Sequence, residues 1–365
     1  MRKSWKWLLA VLLLSLTVAL STYGVNTIWL RSTGPEKPDY IRIVEAEPSL
    51  LALPHYIAIS QGFYREQKLE VISTPLLENI EEEFKLADQG DVLLGDLNRF
   101  LFTRPLGTGA DLVAFAGLAR KEGSFLLSRP EAADFSWEQI KRKSILGDAP
   151  DAQSNVILEE VLRQKKLALQ HQVIIIQNLP AKLKQGAFQA GVGHYVQMAE
   201  PLATLTEQQG TGKIAIHLGS EVAPIPSLVF LAPKKYIKEH SGELQKLVNG
   251  LCKGMLWLNY HNSAEAARVT ASYFPDIDRQ VLVDIIENYK KLGLWDKTPV
   301  IQQQDYENLQ NYVKRAGELT NPVDYDEGVE NKFAQKAARS VEYIPPEQQA
   351  KEKSWWEKVK SFDFR

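Results

Sequence analysis

The sequence lacks what most catalytic and nucleic-acid-binding proteins need. It holds one cysteine, Cys252, so no intrachain disulfide can form, no several-cysteine metal site is available, and no cysteine near the N-terminus can carry a lipid. There is no basic excess: 43 Lys and Arg stand against 45 Asp and Glu, a formal net charge of -2, without the clustered positive face that nucleic acid requires. The histidines His55, His171, His194, His217, His240 and His261 never fall in H-x-x-x-H or H-E-x-x-H spacing, which removes the helical zinc-hydrolase pattern. No G-x-S-x-G occurs, and "GTGKIA" from Gly210 lacks the full spacing of a phosphate-binding loop. Cys252, within "NGLCKGMLWLNY", reads as a small core hydrophobe on a buried helix.

What is present is ample apolar material: 365 residues, 44% hydrophobic, enough for about two domains with real cores. The chain opens with basic "MRKSWK" and continues uncharged from Trp7 to Leu30. Basic end first, that run is an export signal. Ala19 and Ser21 offer small residues for cleavage, yet the whole run is long enough to cross roughly 30 Å of hydrocarbon and remain as an anchor. Residues 1–31 are therefore a signal sequence or a membrane anchor, and the rest is expected to be extracytoplasmic, either anchored or periplasmic/secreted. Residues 32–39, with a glycine and two prolines, form a linker.

From Tyr40 the pattern alternates. "YIRIVEAE" has strand periodicity, "LLALPHYIAISQGFYREQ" reads as loop and helix, and "LEVIST" as the next strand. The alternation returns through "DVLLGD", "DLVAFAGL", "GSFLLSR", "SILGDA", the helix "QSNVILEEVLRQKKL", "QVIIIQN" and "VGHYV", which is the α/β pattern. After "APIPSLVFLAP" the chain turns mainly helical. From about Val341 it becomes charged and proline-broken, an extended tail in which Trp355, Trp356, Val359 and Phe362 share one face of a short helix.

The succession "LALPHYIAISQGFYREQKLEV", "GDVLLGDLNRF", "EQIKRKSILGDAPDAQSNVILEEVLRQKKL" and "LKQGAFQAGVGHYVQMAEPLA" resembles the SsuA/THI5-like solute-binding proteins of ABC transporters, the nitrate/sulfonate/taurine and thiamine-pyrimidine-precursor group. That family's Ala-x-x-x-Gly-Tyr-Phe helix before Gly-Leu-x-Val is matched by Ala58, Gly62, Phe63, Tyr64, Leu69 and Val71, with the aromatic order exchanged. The late "NPVDYDEGVENKFAQKA" is also similar. The resemblance implies a type II periplasmic-binding-protein fold: two α/β lobes joined by crossover strands, with a ligand cleft between them and closure by a hinge. The implied division is lobe one at 40–128 and 226–338, lobe two at 129–225, and a tail at 339–365. The implied partners are a small-molecule ligand and an ABC transporter permease, with the membrane reached through the N-terminal segment; no nucleic acid, metal, cofactor or catalytic residue is expected.

Ligands in such sheets lie beyond the carboxyl ends of strands, which singles out Ser49, His55, Asp96, Asn98, Gln153, Ser154, His194, Tyr195 and Glu200. Each has an ordinary alternative: turns and caps for Ser49, Asn98, Gln153 and Ser154, core packing for the histidines, and a carboxylate at a helix start before Pro201 for Glu200. Asp148 and Asp151 flank Pro150 where an oxyanion-binding relative offers free amides, and carboxylates there oppose a second anion. With Glu45, Glu47, Asp96 and Glu200 near strand ends, the cleft reads as acidic. An aminopyrimidine-like ligand fits it better than nitrate or a sulfonate. A thiamine-pyrimidine-type biosynthetic enzyme on the same fold remains an alternative, although such enzymes work inside the cell and carry a Cys-rich element absent here; so does a membrane-anchored sensor.

Overall fold

The computed structural model describes residues 38–348 apart from 46, 76–86, 88–91, 104–110 and 133. The signal or anchor segment, most of the linker and the tryptophan-bearing tail lie outside these residues.

Ten strands are described: β1 (Asp39–Glu45), β2 (Leu69–Pro75), β3 (Val92–Gly95), β4 (Leu112–Ala119), β5 (Ser124–Ser128), β6 (Lys143–Leu146), β7 (Val173–Ile176), β8 (Tyr195–Ala199), β9 (Lys213–His217) and β10 (Leu228–Pro233). In β1, Ile41 and Ile43 are buried while Tyr40 and Arg42 are exposed, the period-two alternation of a strand with one wet face. β5 and β10 are buried at every residue, as expected of strands covered on both faces.

The strands form two five-stranded sheets, ordered β2-β1-β3-β10-β4 and β7-β6-β8-β5-β9. β1 runs parallel to β3, and β6 runs parallel to both β7 and β8. In each sheet the fourth strand is antiparallel to its neighbours: β10 pairs with β3 and β4, and β5 with β8 and β9. That antiparallel strand is delivered by the other half of the chain. The first crossover is Arg120–Gly123, so the chain changes sheets earlier than the Ser128 expected, and Ser124–Ser128 already belongs to the second sheet. It returns between Ser220 and Leu228.

The helices are α1 (Leu53–Ser60), α2 (Phe63–Glu66), α3 (Gln153–Gln164), α4 (Ala181–Gln189), α5 (Leu202–Gln208), α6 (Lys234–Glu239), α7 (Ser241–Tyr260), α8 (Ser263–Thr270), α9 (Arg279–Leu292), α10 (Gln303–Ala316), α11 (Tyr325–Gly328) and α12 (Lys332–Ser340). α1 begins after a 3-10 turn that Ser49 caps, its Oγ accepting from Leu51 N at 3.2 Å. Pro54 occupies the first turn, where no amide hydrogen is needed. Gly62, at φ 73°, turns the chain into α2, a left-handed conformation that glycine takes at little cost. α2 packs its Tyr64 on Gly250 of α7, where an added Cβ would lie 2.3 Å from the ring, so the close approach depends on glycine. Cys252 is buried on the same helix.

α10 lies against both crossovers. Arg120 grips Asp305 through Nε at 2.5 Å and Nη2 at 3.2 Å, and Asn308 Nδ2 donates to Pro224 O at 3.1 Å. At its far end Arg315 makes a two-pronged bond to Glu160 of α3, at 2.9 and 2.8 Å. One apolar cluster accompanies it, from Leu97 and Phe102 through Tyr306, Leu309 and Val313 to Ile157 and Val161. The start of the expected tail is docked: His261 Nε2 and the Tyr343 hydroxyl are 2.7 Å apart. Among the described residues no helix is long and apolar enough to cross a membrane, and no His, Cys, Asp and Glu group is arranged to hold a metal ion.

Candidate functional site

A cavity of about 230 Å³ opens at the carboxyl ends of β1 and β3, its polar lining supplied by Glu45, Glu47, Ser49, Tyr56, Asp96 and Arg99. Local chain geometry builds it. β1 ends at Glu45, and β3 ends at Gly95, where a Cβ would lie 2.5 Å from the Phe100 ring. Glycine there lets Phe100 fold back as one apolar wall and leaves Asp96 at the rim. Tyr56 OH donates to Glu45 Oε2 at 3.0 Å and accepts from Ser49 N at 3.3 Å. Burial raises the Glu45 carboxyl, against bonds from Ser73 and Tyr56 that lower it. Asp96 is pushed up to about 6, by burial first and by the Asp148 charge, with Arg99 opposing. Among the described residues no hydrogen bond reaches its carboxylate.

Beside this cavity the second sheet presents a bonded network. Glu122, on the first crossover, accepts at Oε2 from Ser124 N (2.9 Å) and Ser124 Oγ (2.6 Å). Gln197 of β8 donates through Nε2 to Ser124 Oγ at 2.9 Å and Ser154 O at 2.7 Å. Ser154 Oγ donates to Asp148 Oδ2 at 2.7 Å, and Lys184 binds both Asp148 and Gln197 O. Burial, with Asp148 and Asp96 adding to it, raises Glu122 to about 7 despite its two bonds from Ser124.

Two amides fasten the sheets together. Asn98 Nδ2 donates to Asp151 O at 3.0 Å, and Gln153 Nε2 donates to Ser227 O at 2.9 Å. Because a backbone carbonyl only accepts, each of these bonds, like that from Gln197 to Ser154 O, fixes which amide atom is nitrogen. The leftover atom is then an acceptor in every case: Asn98 Oδ1, Gln153 Oε1 and Gln197 Oε1 are buried without a partner. Unpaired buried acceptors cost free energy unless a ligand or water supplies a donor.

The residues singled out by sequence separate into three groups. Ser49 and Asp96 line the cavity, while Asn98, Gln153 and Ser154 form the seam beside it. His55, His194, Tyr195 and Glu200 are elsewhere. His55 is fully buried in the core, its Nδ1 2.7 Å from the Tyr64 hydroxyl, and desolvation lowers it to about 3. The helical turn that brings Tyr56 to the cavity turns its neighbour inward. His194 is exposed against Ser144 at 3.0 Å, and Tyr195 is buried edge-on to Phe135. Glu200 accepts from Thr204 N at 3.0 Å and Thr204 Oγ1 at 2.8 Å, the helix-start role. At the start of α3 neither Asp148 nor Asp151 is the cap: Ala152 is the N-cap, without a side-chain bond.

Sequence reasoning missed Tyr56, Glu122 and Gln197. The signals for the last two are present: Glu122 is the acid just before the wholly apolar "FLL", and Gln197 is the single amide within the buried "YVQM". A lone polar residue in a strand covered on both faces needs a partner.

Residues 52–264 match the model of the family described as NMT1/THI5 like. The protein YtlA of Bacillus subtilis (strain 168) is 28% identical over 297 residues, covering 81% of this chain and 89% of YtlA. Among solved structures, the periplasmic aliphatic sulphonate binding protein SsuA of Escherichia coli superposes with a TM-score of 0.64 at 13% identity, over 80% of this chain and 97% of its own. The ligand-binding component of an ABC-type import system from Staphylococcus aureus gives a TM-score of 0.62 at 17% identity, over 83% and 100%. The periplasmic-binding-protein fold expected from sequence is the fold observed.

Proposed function

Since the chain belongs to the NMT1/THI5-like family, we propose that it is the extracytoplasmic solute-binding subunit of an ABC importer, taking a small nitrogen-bearing organic ligand between its two lobes. The observation that carries this reading is the cavity itself, lined by the three acids Glu45, Glu47 and Asp96 against the single cation Arg99 and bordered by buried amide oxygens without donors. Such a lining favours a donor-rich solute, aminopyrimidine-like, over nitrate or a sulfonate. At about 230 Å³, the space suits a ligand smaller than the drug-sized molecules that fill pockets of roughly 300 Å³ and above.

We take the lobes to divide where the chain changes sheets, with Ser124–Ser128 in the second. An N-terminal anchor or cleaved signal would keep the protein outside the cytoplasm, next to its permease. Binding without turnover is supported by the likeness to the ligand-binding component of an ABC-type import system and to a sulphonate binding protein.

Thermal melting of the full-length chain against aminopyrimidines, organic amines, sulfonates and nitrate tests the reading, since a solute bound only by the folded state raises the Tm. Aminopyrimidines or amines are expected to shift it. A shift by nitrate and sulfonates alone would overturn the donor-rich cavity.

A further inference from the structure

Three carboxylates border the seam between the sheets, and their compensation differs. Asp148 has Lys184 bound to it and receives Ser154 Oγ. Asp96 has the Arg99 charge nearby. Glu122 is 6% exposed, bonds only to Ser124 through Oε2, and has no cation against it among the described residues. Its sequence neighbour Lys121 is turned away, donating to Leu292 O at 2.6 Å. Glu122 Oε1 and the whole Asp96 carboxylate are thus open acceptors on groups that desolvation penalises when charged.

A second feature points the same way without involving charge. Gln197 is fully buried, and its amide nitrogen is fixed on Ser124 Oγ, the hydroxyl that also bonds Glu122. The two heteroatoms of one carboxamide lie about 2.3 Å apart by covalent geometry, so the unpartnered Gln197 Oε1 lies beside the same hydroxyl. A buried carboxylate lacking a counter-ion, next to a buried carbonyl lacking a donor, is complementary in charge and in hydrogen bonding to a cation bearing more than one N–H.

We infer that the transported solute is a small organic cation, and that Glu122, assisted by Asp96, is the anchor for its charge, with Gln197 Oε1 taking a second N–H. This rests on the solute-binding reading and narrows it from donor-rich to positively charged. A protonated amine or amidine-type group supplies both the charge and the donors, and its arrival stabilises Glu122 as the carboxylate. The lysine on Asp148 leaves that third acid already neutralised, so a single positive charge is favoured over two.

The test uses matched pairs that differ in charge but little in shape: 4-amino-5-(aminomethyl)pyrimidine against its 5-hydroxymethyl analogue, and methylguanidine against methylurea. Affinities are measured by titration calorimetry on the full-length chain, wild type, Glu122→Gln and Asp96→Asn. The cation of at least one pair should bind about tenfold or more tighter than its neutral partner, and that preference should fall about tenfold in Glu122→Gln, the scale of a lost charge-assisted bond. Asp96→Asn should reduce it less, and keeps the test open if Glu122→Gln does not fold. Equal binding within every pair, or a preference unchanged in both variants, overturns the charge anchor and leaves solute binding intact. If no member binds while a sulfonate or nitrate does, the donor-rich reading falls as well.

Discussion

The two sheets share one strand order, three strands followed by an antiparallel intruder and an edge, yet their rims carry opposite chemistry. The first rim holds Glu45, Glu47, Asp96 and Arg99 around an open cavity, and among the described residues no hydrogen bond reaches the Asp96 carboxylate. The second rim is satisfied over most of its groups: Asp148, Lys184, Ser154 and the Gln197 amide nitrogen bond one another, and Gln197 Oε1 is left open beside Glu122. The shared topology explains why both rims face the seam, because in each sheet strand carboxyl ends and crossovers converge there. It does not explain the chemistry. A mostly bonded second rim fixes geometry, and its two open acceptors, Glu122 Oε1 and Gln197 Oε1, join the open first rim in waiting for a solute.

The largest expected effect breaks the satisfied side. Lys184→Met would leave Asp148 without its cation in a site where Lys184 is 6% exposed, and removing one partner of a buried pair costs about 3 kcal/mol. Urea unfolding should show that loss, whereas Asp96→Asn, on the open side, should cost nothing or stabilise. Equal losses at both positions would erase the contrast between the rims.

The next effect depends on pH. Glu122 is raised from 4.5 to about 7, so the folded chain holds that proton longer than the unfolded chain. Its contribution is fully present below pH 4.5 and is lost as the pH rises through 7. Glutamine does not titrate, so Glu122→Gln should gain on wild type by about 3 kcal/mol between pH 4.5 and 8. His55 and His217, lowered to about 3 and 4 by burial, change stability in the opposite sense but cancel in the difference. Thermal melts of both proteins across that range check it, and parallel curves would refute the buried, uncompensated Glu122.

Most of this architecture is written locally. Period-two runs such as "YIRIV" and the sequence Gly62-Phe63-Tyr64 require only neighbours in the chain to be interpreted, and strands and helices fall where they predict. The site was legible only as strand ends. Ser49 and Asp96 follow from that rule, but it cannot separate His55 from Tyr56, adjacent residues on one helix of which the first is turned to Phe230 and Tyr64 and the second to the cavity. Nor does sequence distance show that Glu122 and Gln197 are joined through Ser124, and Gln197 in turn to Ser154 O, since those bonds exist only once both crossovers have brought the sheets together.

The smallest effect separates two buried glutamates that sequence would rank the other way. Glu200 lies in the family-like "QMAEP" and stands among the strand-end candidates with a helix-start role as its alternative, while Glu122 is not among those candidates. In the fold both Glu200 oxygens are engaged by Thr204, at 3.0 and 2.8 Å, whereas Glu122 leaves one oxygen open. Glu200→Gln keeps an acceptor for the Thr204 amide but loses the charge at the start of α5, a change worth about 0.5–1 kcal/mol. Melting should therefore fall slightly, and the affinity for the pyrimidine and guanidine probes should stay within about twofold of wild type, below what a single neutral hydrogen bond contributes. A loss of binding at Glu200 as large as that at Glu122 would move the charged end of the solute from the crossover to the α5 start, and with it the division between a mostly bonded rim and an open one.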